Sequence, residues 1–344
     1  MTYQKTPKRD FRQEVTDSII AALEKGVPPW KKSWQSGSLE IPLNPTTGKR
    51  YNGGNVLRLM FVGDVKGYAD PRWCTFNQAR ANDWQVRKGE HGSQVEFWKP
   101  INLGDDRKDR SRGFAEDDER KRFIHCTYTV FNACQIDGIP AREPKVHNEW
   151  EVIQSGESIL RNSGAKIIHA EQDRAFYRKS TDTIHLPLKT AFPDAADYLG
   201  TALHELSHWS GHMDRLNRET LVKSTHFGDE MYAREELRAE LASVFIAAEK
   251  GIPYRLDSNA AYIDNWLGVL RNDRNEIFRA ASDAQKAADF IVALELHRSL
   301  DQALAAVRGI QPEVKQSDVE PVGEAARTVF RSKEYDTQPV EMEM

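Results

Sequence analysis

Apolar positions near the start of the chain recur at helical spacing. Val15, Ile19, Ile20 and Leu23 predict a helix over Phe11 to Lys25, and Gly26 ends it. Val27-Pro28-Pro29-Trp30 and the Ser/Gly stretch after it read as loop. From Trp73 to Asn132 the patterns turn short and strand-like, as in Gln94-Val95-Glu96-Phe97-Trp98 and Cys126-Thr127-Tyr128-Thr129-Val130-Phe131. Between those two runs, Asp105 to Arg122 mixes both charges densely, which predicts a hairpin tip or flexible insertion without a core of its own. Pro140 and Pro144 interrupt the pattern between Gly138 and His147 and mark a boundary. Beyond it Thr183 to Pro187 predicts one short strand, and helices dominate from Asp194 to about Val307. The polar stretch Gln311 to Met344 is expected to be disordered. The resulting fold class is α+β: a mixed N-terminal domain over 1–145, a mainly helical domain over 146–310, and a tail over 311–344.

Composition narrows the setting. A chain of 344 residues is long enough for two ordinary domains. No apolar run approaches the roughly 18 residues of a membrane span. Met1 to Asp10 is polar and lacks the apolar stretch of a secretory signal. Cys74, Cys126 and Cys134 form no CxxC pair, and an odd number suggests reduced thiols, so a cytoplasmic protein is expected. The sequence sets no oligomeric state. The net charge of −4 hides an asymmetry: residues 1–100 carry 16 Lys and Arg against 10 Asp and Glu, net +6, and the rest is net −10. That is a modest hint of a polyanionic partner for the first third, weighed against an ordinary solvated surface.

The sharpest chemical signal is Leu203-His204-Glu205-Leu206-Ser207-His208-Trp209. On a helix His204 and His208 stand one turn apart, so two imidazoles can grip one metal, expected to be a single Zn2+. Glu205 projects beside them and can take a proton from water at the metal. Leu199, Leu203 and Leu206 form a stripe roughly opposite the histidines, which turns the other face toward a cleft. Zinc needs a third protein ligand and an open position. The favoured candidate is Glu236, on a later helix with the buried stripe Leu237, Leu241, Val244 and Phe245. Glu240, one turn on, is then placed to hold a ligand histidine, as an Asp does in gluzincins. Glu235 is expected to face solvent. Asp214 is the alternative, at a metzincin-like spacing in which Gly211 permits the sharp turn, and His212 is a third.

Five of the eight tryptophans, Trp30, Trp34, Trp73, Trp84 and Trp98, fall in the first 100 residues, interleaved with Lys31, Lys32, Arg72, Arg87, Lys88 and Lys99. Aromatic platforms beside a cationic track suit single-stranded nucleic acid, with bases on the rings and phosphates along the cations. Residue by residue, a core role is the better reading for most of these tryptophans.

Several segments in order resemble the ArdC-type antirestriction proteins. In the first half these include Leu23-Glu24-Lys25-Gly26-Val27-Pro28-Pro29-Trp30, Tyr51-Asn52-Gly53-Gly54-Asn55, Arg72-Trp73-Cys74-Thr75-Phe76 and Val86-Arg87-Lys88-Gly89-Glu90-His91-Gly92. In the second they include His204 to His212, Arg215-Leu216-Asn217-Arg218 and Tyr232 to Leu237. The resemblance spans about residues 10–295 and departs at Cys74, where an aliphatic residue is usual. It implies an N-terminal single-stranded DNA-binding domain, a zincin-like metallopeptidase domain, and a role for plasmids and related elements in protecting incoming DNA from host restriction.

Two readings follow. In one, the chain is a DNA-associated peptidase acting on a host protein, with Tyr177, Tyr198, Tyr232 or Tyr262 donating to the oxyanion. In the other, it shields single strands and its metal is purely structural. An intact Glu205 favours the first.

Overall fold

The computed structural model describes residues 10–26, 28, 30, 40–101, 122–143, 148–224, 229–254, 260–296 and 299–308. Lys31, Lys32, Trp34, nearly all of the expected insertion and the expected tail lie outside the described residues.

The first half opens with α1 (Phe11–Leu23), whose N-terminus is capped by the Asp10 carboxylate accepting from the Gln13 backbone N–H. It continues through α2 (Gly54–Lys66), β1 (Trp73–Thr75), α3 (Phe76–Ala81), β2 (Gln85–Val86), β3 (Ser93–Ile101), β4 (Arg122–Asn132) and β5 (Ile136–Asp137). An antiparallel sheet runs in the order β1-β4-β3, with Ser93 opposite Val130 and Ile101 opposite Arg122 along the β3–β4 ribbon. β2 and β5 form a separate antiparallel pair. The alternating strands match expectation, whereas α2 and α3 were not legible. Val56-Leu57, Leu59-Met60-Phe61-Val62 is too continuously apolar to display a helical period, and α3 is a six-residue helix set by a capping box between Thr75 and Gln78.

The second half comprises α4 (Glu149–Asn162), β6 (Lys166–Ala170), β7 (Phe176–Arg178), β8 (Thr183–Pro187), α5 (Ala195–Ser210), α6 (Glu219–Lys223), α7 (Glu230–Lys250), α8 (Ala260–Asn272), α9 (Glu276–Glu295) and α10 (Leu300–Arg308). Its sheet has the order β6-β8-β7, with β6 and β8 parallel and β7 antiparallel at an edge. Ile184 and Leu186 of β8 are fully buried in the core that also holds α5. Among the described residues no helix is long and apolar enough to cross a membrane.

One hydrophobic core joins Phe11, Val15, Ile19 and Leu23 of α1, together with Trp30, Val56 and Leu57, to the buried faces of α4, α5, α7, α8 and α9. The first helix is therefore seated on the second half of the chain, and the shared core lies on both sides of residue 145. Polar contacts fix the seat: the Thr16 hydroxyl donates to the Arg274 carbonyl at 2.8 Å, and Arg12 reaches Asn275 at 3.0 Å while pairing with Glu96. A side chain at residue 54 would put its Cβ 2.6 Å from the Phe278 ring, so Gly54 lets α2 approach α9 closely. Ile19, 1% exposed within this shared core, reports on it directly. Ile19→Ala should destabilise the chain by about 2–5 kcal/mol through lost burial and a residual cavity. Urea unfolding followed by far-UV circular dichroism should show one shifted transition that includes the second half.

Candidate metal centre

Two helices build the site. The Asp194 side chain caps α5 through the Asp197 N–H, and Leu199, Leu203 and Leu206 anchor its inner face in the core. α7 starts at Asp229, which accepts from the Tyr232 N–H, and stops at Gly251 in the left-handed region. The two helices pack so that His204 Nε2 lies 3.4 Å and His208 Nε2 3.5 Å from the Glu236 carboxylate. The imidazoles stand nearly perpendicular, 4.9 Å apart between ring centres. One donor atom from each of His204, His208 and Glu236 falls within 4.8 Å of the others, and among the described residues no other group of histidines, cysteines or carboxylates converges in this way. Asp214 and His212 pair with each other at 3.3 Å, the Asp214 side chain is 77% exposed, and neither belongs to the group.

Behind each histidine stands a second carboxylate. His208 Nδ1 is 3.2 Å from Glu235 Oε1. Glu235, expected at the surface, is instead 2% exposed, because it is the acceptor for a buried guanidinium as well as for the histidine. Arg218 donates to it from Nε and Nη2 at 3.1 and 2.6 Å, and the Thr220 hydroxyl adds a third bond at 2.6 Å. Burial alone would raise the Glu235 carboxyl, but Arg218 and His208 hold it down at about 2. Glu236 foremost, with Glu235, outweighs the burial of His208 and pushes its imidazole up to about 10. Gly211 serves this arm rather than a sharp turn: its φ is an ordinary −81°, and a Cβ there would meet the Arg218 guanidinium at 2.6 Å. On the other arm, Glu240 Oε2 is 3.7 Å from His204 Nδ1.

Glu205 lies in the same cleft of about 280 Å3, together with Ala175, Phe176, Tyr177, Lys179, Tyr232 and Tyr262. Burial drives its carboxyl pKa upward, against the opposing pull of His204 and His208. Edge strand β7 runs along the cleft, and the Tyr177 backbone donates to Glu205. Of the four tyrosines considered as oxyanion donors, Tyr198 is buried against Phe192 and its hydroxyl contacts His169, outside this cleft. Tyr177 gives its hydroxyl to Asp182 at 2.8 Å. Tyr232 and Tyr262 face each other at 3.3 Å between hydroxyls.

The residues considered for DNA contact scatter. Trp30 and Trp73 are 1% exposed and belong to the core, and Trp84 packs partly buried against a small cluster containing Val86 and Ile136. Trp98 remains 52% exposed and lies against His125. Arg72 is engaged by Asp70, and Arg87 by Glu90 and Asp137, so neither guanidinium is uncommitted. Lys88 is exposed. Lys99 occupies the β3–β4 ribbon opposite Ile124. No local spacing announces that Trp30, Arg218, Thr220 and Tyr254 support the metal centre: Arg218, Thr220 and Tyr254 reach the Glu235 and Glu240 carboxylates only through the folding back of neighbouring loops and helices, and Trp30 comes from 210 positions away.

Two imidazole nitrogens and a carboxylate, with a neighbouring acid and an accessible cleft, are a donor set that fits a divalent cation with an open position. Comparison with known proteins agrees with this geometry. Residues 9–131 match the N-terminal domain of anti-restriction factor ArdC, and residues 154–283 match the zincin-like metallopeptidase family. The crystal structure of the antirestriction ArdC protein from plasmid R388 in its Mn(II)-bound form is 36% identical, with a TM-score of 0.68 over 83% of this chain and 98% of that one. The metal-free form aligns with a TM-score of 0.65 over 88% of this chain and all of that one. Protein y4eC of Sinorhizobium fredii (strain NBRC 101917 / NGR234) is 38% identical over 85% of this chain and 95% of its own length. Two Escherichia coli proteins named DNA primase TraC are 44% and 43% identical over 91% and 84% of this chain, which spans only 30% and 20% of their lengths.

Glu236→Ala should abolish divalent metal uptake, whereas Asp214→Ala should leave it unchanged, as read by elemental analysis after dialysis. Arg218→Met strands the buried Glu235 charge. It should cost about 3–5 kcal/mol in denaturant unfolding and weaken metal affinity roughly 10–100-fold.

Proposed function

Since the chain belongs to the ArdC family of antirestriction proteins, we propose that it protects incoming plasmid or mobile-element DNA by binding single strands and by cutting a host protein at a zinc-dependent peptidase site. The observation that carries the peptidase reading is the convergence of His204, His208 and Glu236 with Glu205 in one cleft. A purely structural metal has no use for an acid beside it at the open side. Two imidazoles and a carboxylate suit zinc among the divalent cations. When bound, the ion acidifies water and polarises a peptide carbonyl. The chain supplies the remaining chemistry. Glu205 takes the proton of the attacking water and passes it to the departing amine, a task helped by a carboxyl whose pKa is raised by burial. The Tyr232–Tyr262 pair offers a hydroxyl to the developing oxyanion. The edge of β7 presents backbone groups against which an extended substrate can lie.

Support for DNA binding comes from the matched N-terminal family, from the net positive charge of the first 100 residues, and from aromatic side chains left in solvent on the β3–β4 ribbon: Phe97, Trp98 and Tyr128. The recurrence of the same unit inside proteins named as DNA primases fits a DNA-handling module.

Glu205→Gln in the full chain is the deciding variant. It should keep its metal and its DNA affinity but lose cleavage of recipient-cell proteins, by several orders of magnitude, and lose protection of conjugated DNA. Protection that survives in Glu205→Gln would assign antirestriction to strand shielding alone. Gel-shift titrations of the full chain should show preference for single strands over duplex, with affinity falling steeply between 50 and 200 mM salt. Equal affinity for both forms would remove the aromatic-platform component.

A further inference from the structure

The segment after α1 sends one side chain to the far side of the metal centre. Trp30 is 1% exposed, and its indole Nε1 donates to Glu240 Oε1 at 3.2 Å. The Tyr254 hydroxyl donates to the other oxygen, Oε2, at 2.9 Å and is itself 2.8 Å from the Ser243 hydroxyl. Glu240 is thus gripped at both oxygens, with Oε2 3.7 Å from His204 Nδ1. Among the described residues that buried nitrogen has no hydrogen-bond partner, whereas the equivalent nitrogen of His208 already meets Glu235 at 3.2 Å. One histidine is locked from behind, and the other stands just short of its lock. The Trp30 ring also packs on Trp266 at 5.7 Å, and Trp266 stacks on Tyr262 at 6.2 Å, one of the two tyrosines in the cleft.

We infer that Trp30 is a positioning residue of the metal centre: by fixing Glu240 behind His204, the N-terminal half sets how firmly that histidine holds a divalent cation. This rests on the metal-binding reading of the site. An imidazole that donates from Nδ1 to a carboxylate is held in the tautomer that directs its Nε2 lone pair at the metal, and it becomes a more basic ligand. The distance left to close is short enough for a small turn of the ring. Without the indole N–H, Glu240 retains, among the described residues, the Tyr254 donor alone and can swing from His204. The site is then completed by a residue 210 positions away in sequence, on the segment that leaves α1.

The test uses the full chain with zinc and with Co(II), whose visible bands report ligand geometry. Trp30→Phe keeps a ring against Trp266 and removes the donor. It should weaken zinc affinity about tenfold and shift the Co(II) bands at saturating cobalt. Tyr254→Phe should act in the same direction through the other oxygen. Wild-type zinc affinity and unchanged Co(II) bands in Trp30→Phe, whatever its Tm, overturn the inference and leave Trp30 a packing residue. If Trp30→Phe does not fold, the Trp30 indole N–H resonance in the wild-type protein decides: a shift on adding zinc supports the coupling, and an unmoved resonance overturns it. A wild-type chain that takes up neither metal removes the site reading and this inference together, whereas metal binding with an unaffected variant removes the inference alone.

Discussion

The structure turns on the burial of carboxylates of α7 against the histidines of α5. An ionised group taken out of water costs several kcal/mol unless its charge and its hydrogen-bonding capacity are met. Glu235, Glu236 and Glu240 are all nearly inaccessible, within two turns of one helix. Each therefore dictates a partner: Glu235 requires Arg218 and His208, Glu236 requires the paired imidazoles, and Glu240 requires Trp30 and Tyr254. Arg238, on the same helix, is met by Glu276 and Asp283 from α9. A helix carrying these four buried charges cannot shift without stranding one of them, so the geometry of the ligand atoms is held by the cost of every alternative.

That demand explains why the two halves are not simply strung together. The loop after Ser210 folds back so that Arg218 passes under Gly211, and α6 places Thr220 on the same carboxylate. The first helix and Trp30 close the opposite side, burying apolar surface on α8 and α9 and supplying a donor where the core would otherwise leave Glu240 half satisfied. The parts of the N-terminal half that remain accessible, including the exposed aromatics of the β3–β4 ribbon, are those not consumed by this packing.

Electrostatics are divided in the same way. The guanidinium groups of Arg72 and Arg87 are committed within the fold to Asp70, Glu90 and Asp137. The positive balance of the first 100 residues therefore does not present these two guanidinium groups as open contacts. Around the metal centre the charges are dense but paired, and the aromatic groups of Phe176, Tyr177, Tyr232 and Tyr262 also line the cleft.

How much of this was legible in one dimension follows from how local each cause is. The spacing of His204, Glu205 and His208 needs only a helix to make a chelating pair, and the leucine stripe beside it supplies that helix. The 3.6-residue period and the alternation of β3 and β4 are likewise local, and they reappear as α1, α5, α7 and the ribbon. The side chains that complete the site are set by packing between segments far apart in the chain. Sequence could rank Glu236 above Asp214 by helix register. Only the crossing of α5 and α7 brings Glu236 between the two imidazoles and leaves Asp214 in solvent. Glu235 and Glu236 are adjacent acids with the same intrinsic chemistry. Their separate roles exist because α7 is enclosed on more than one side, so that neighbouring residues 100° apart on the helix both face buried cations or imidazoles. The fate of the tryptophans was decided in the same way. An indole can be a base platform, a core filler or a hydrogen-bond donor, and which of these it becomes depends on what the tertiary structure puts against it.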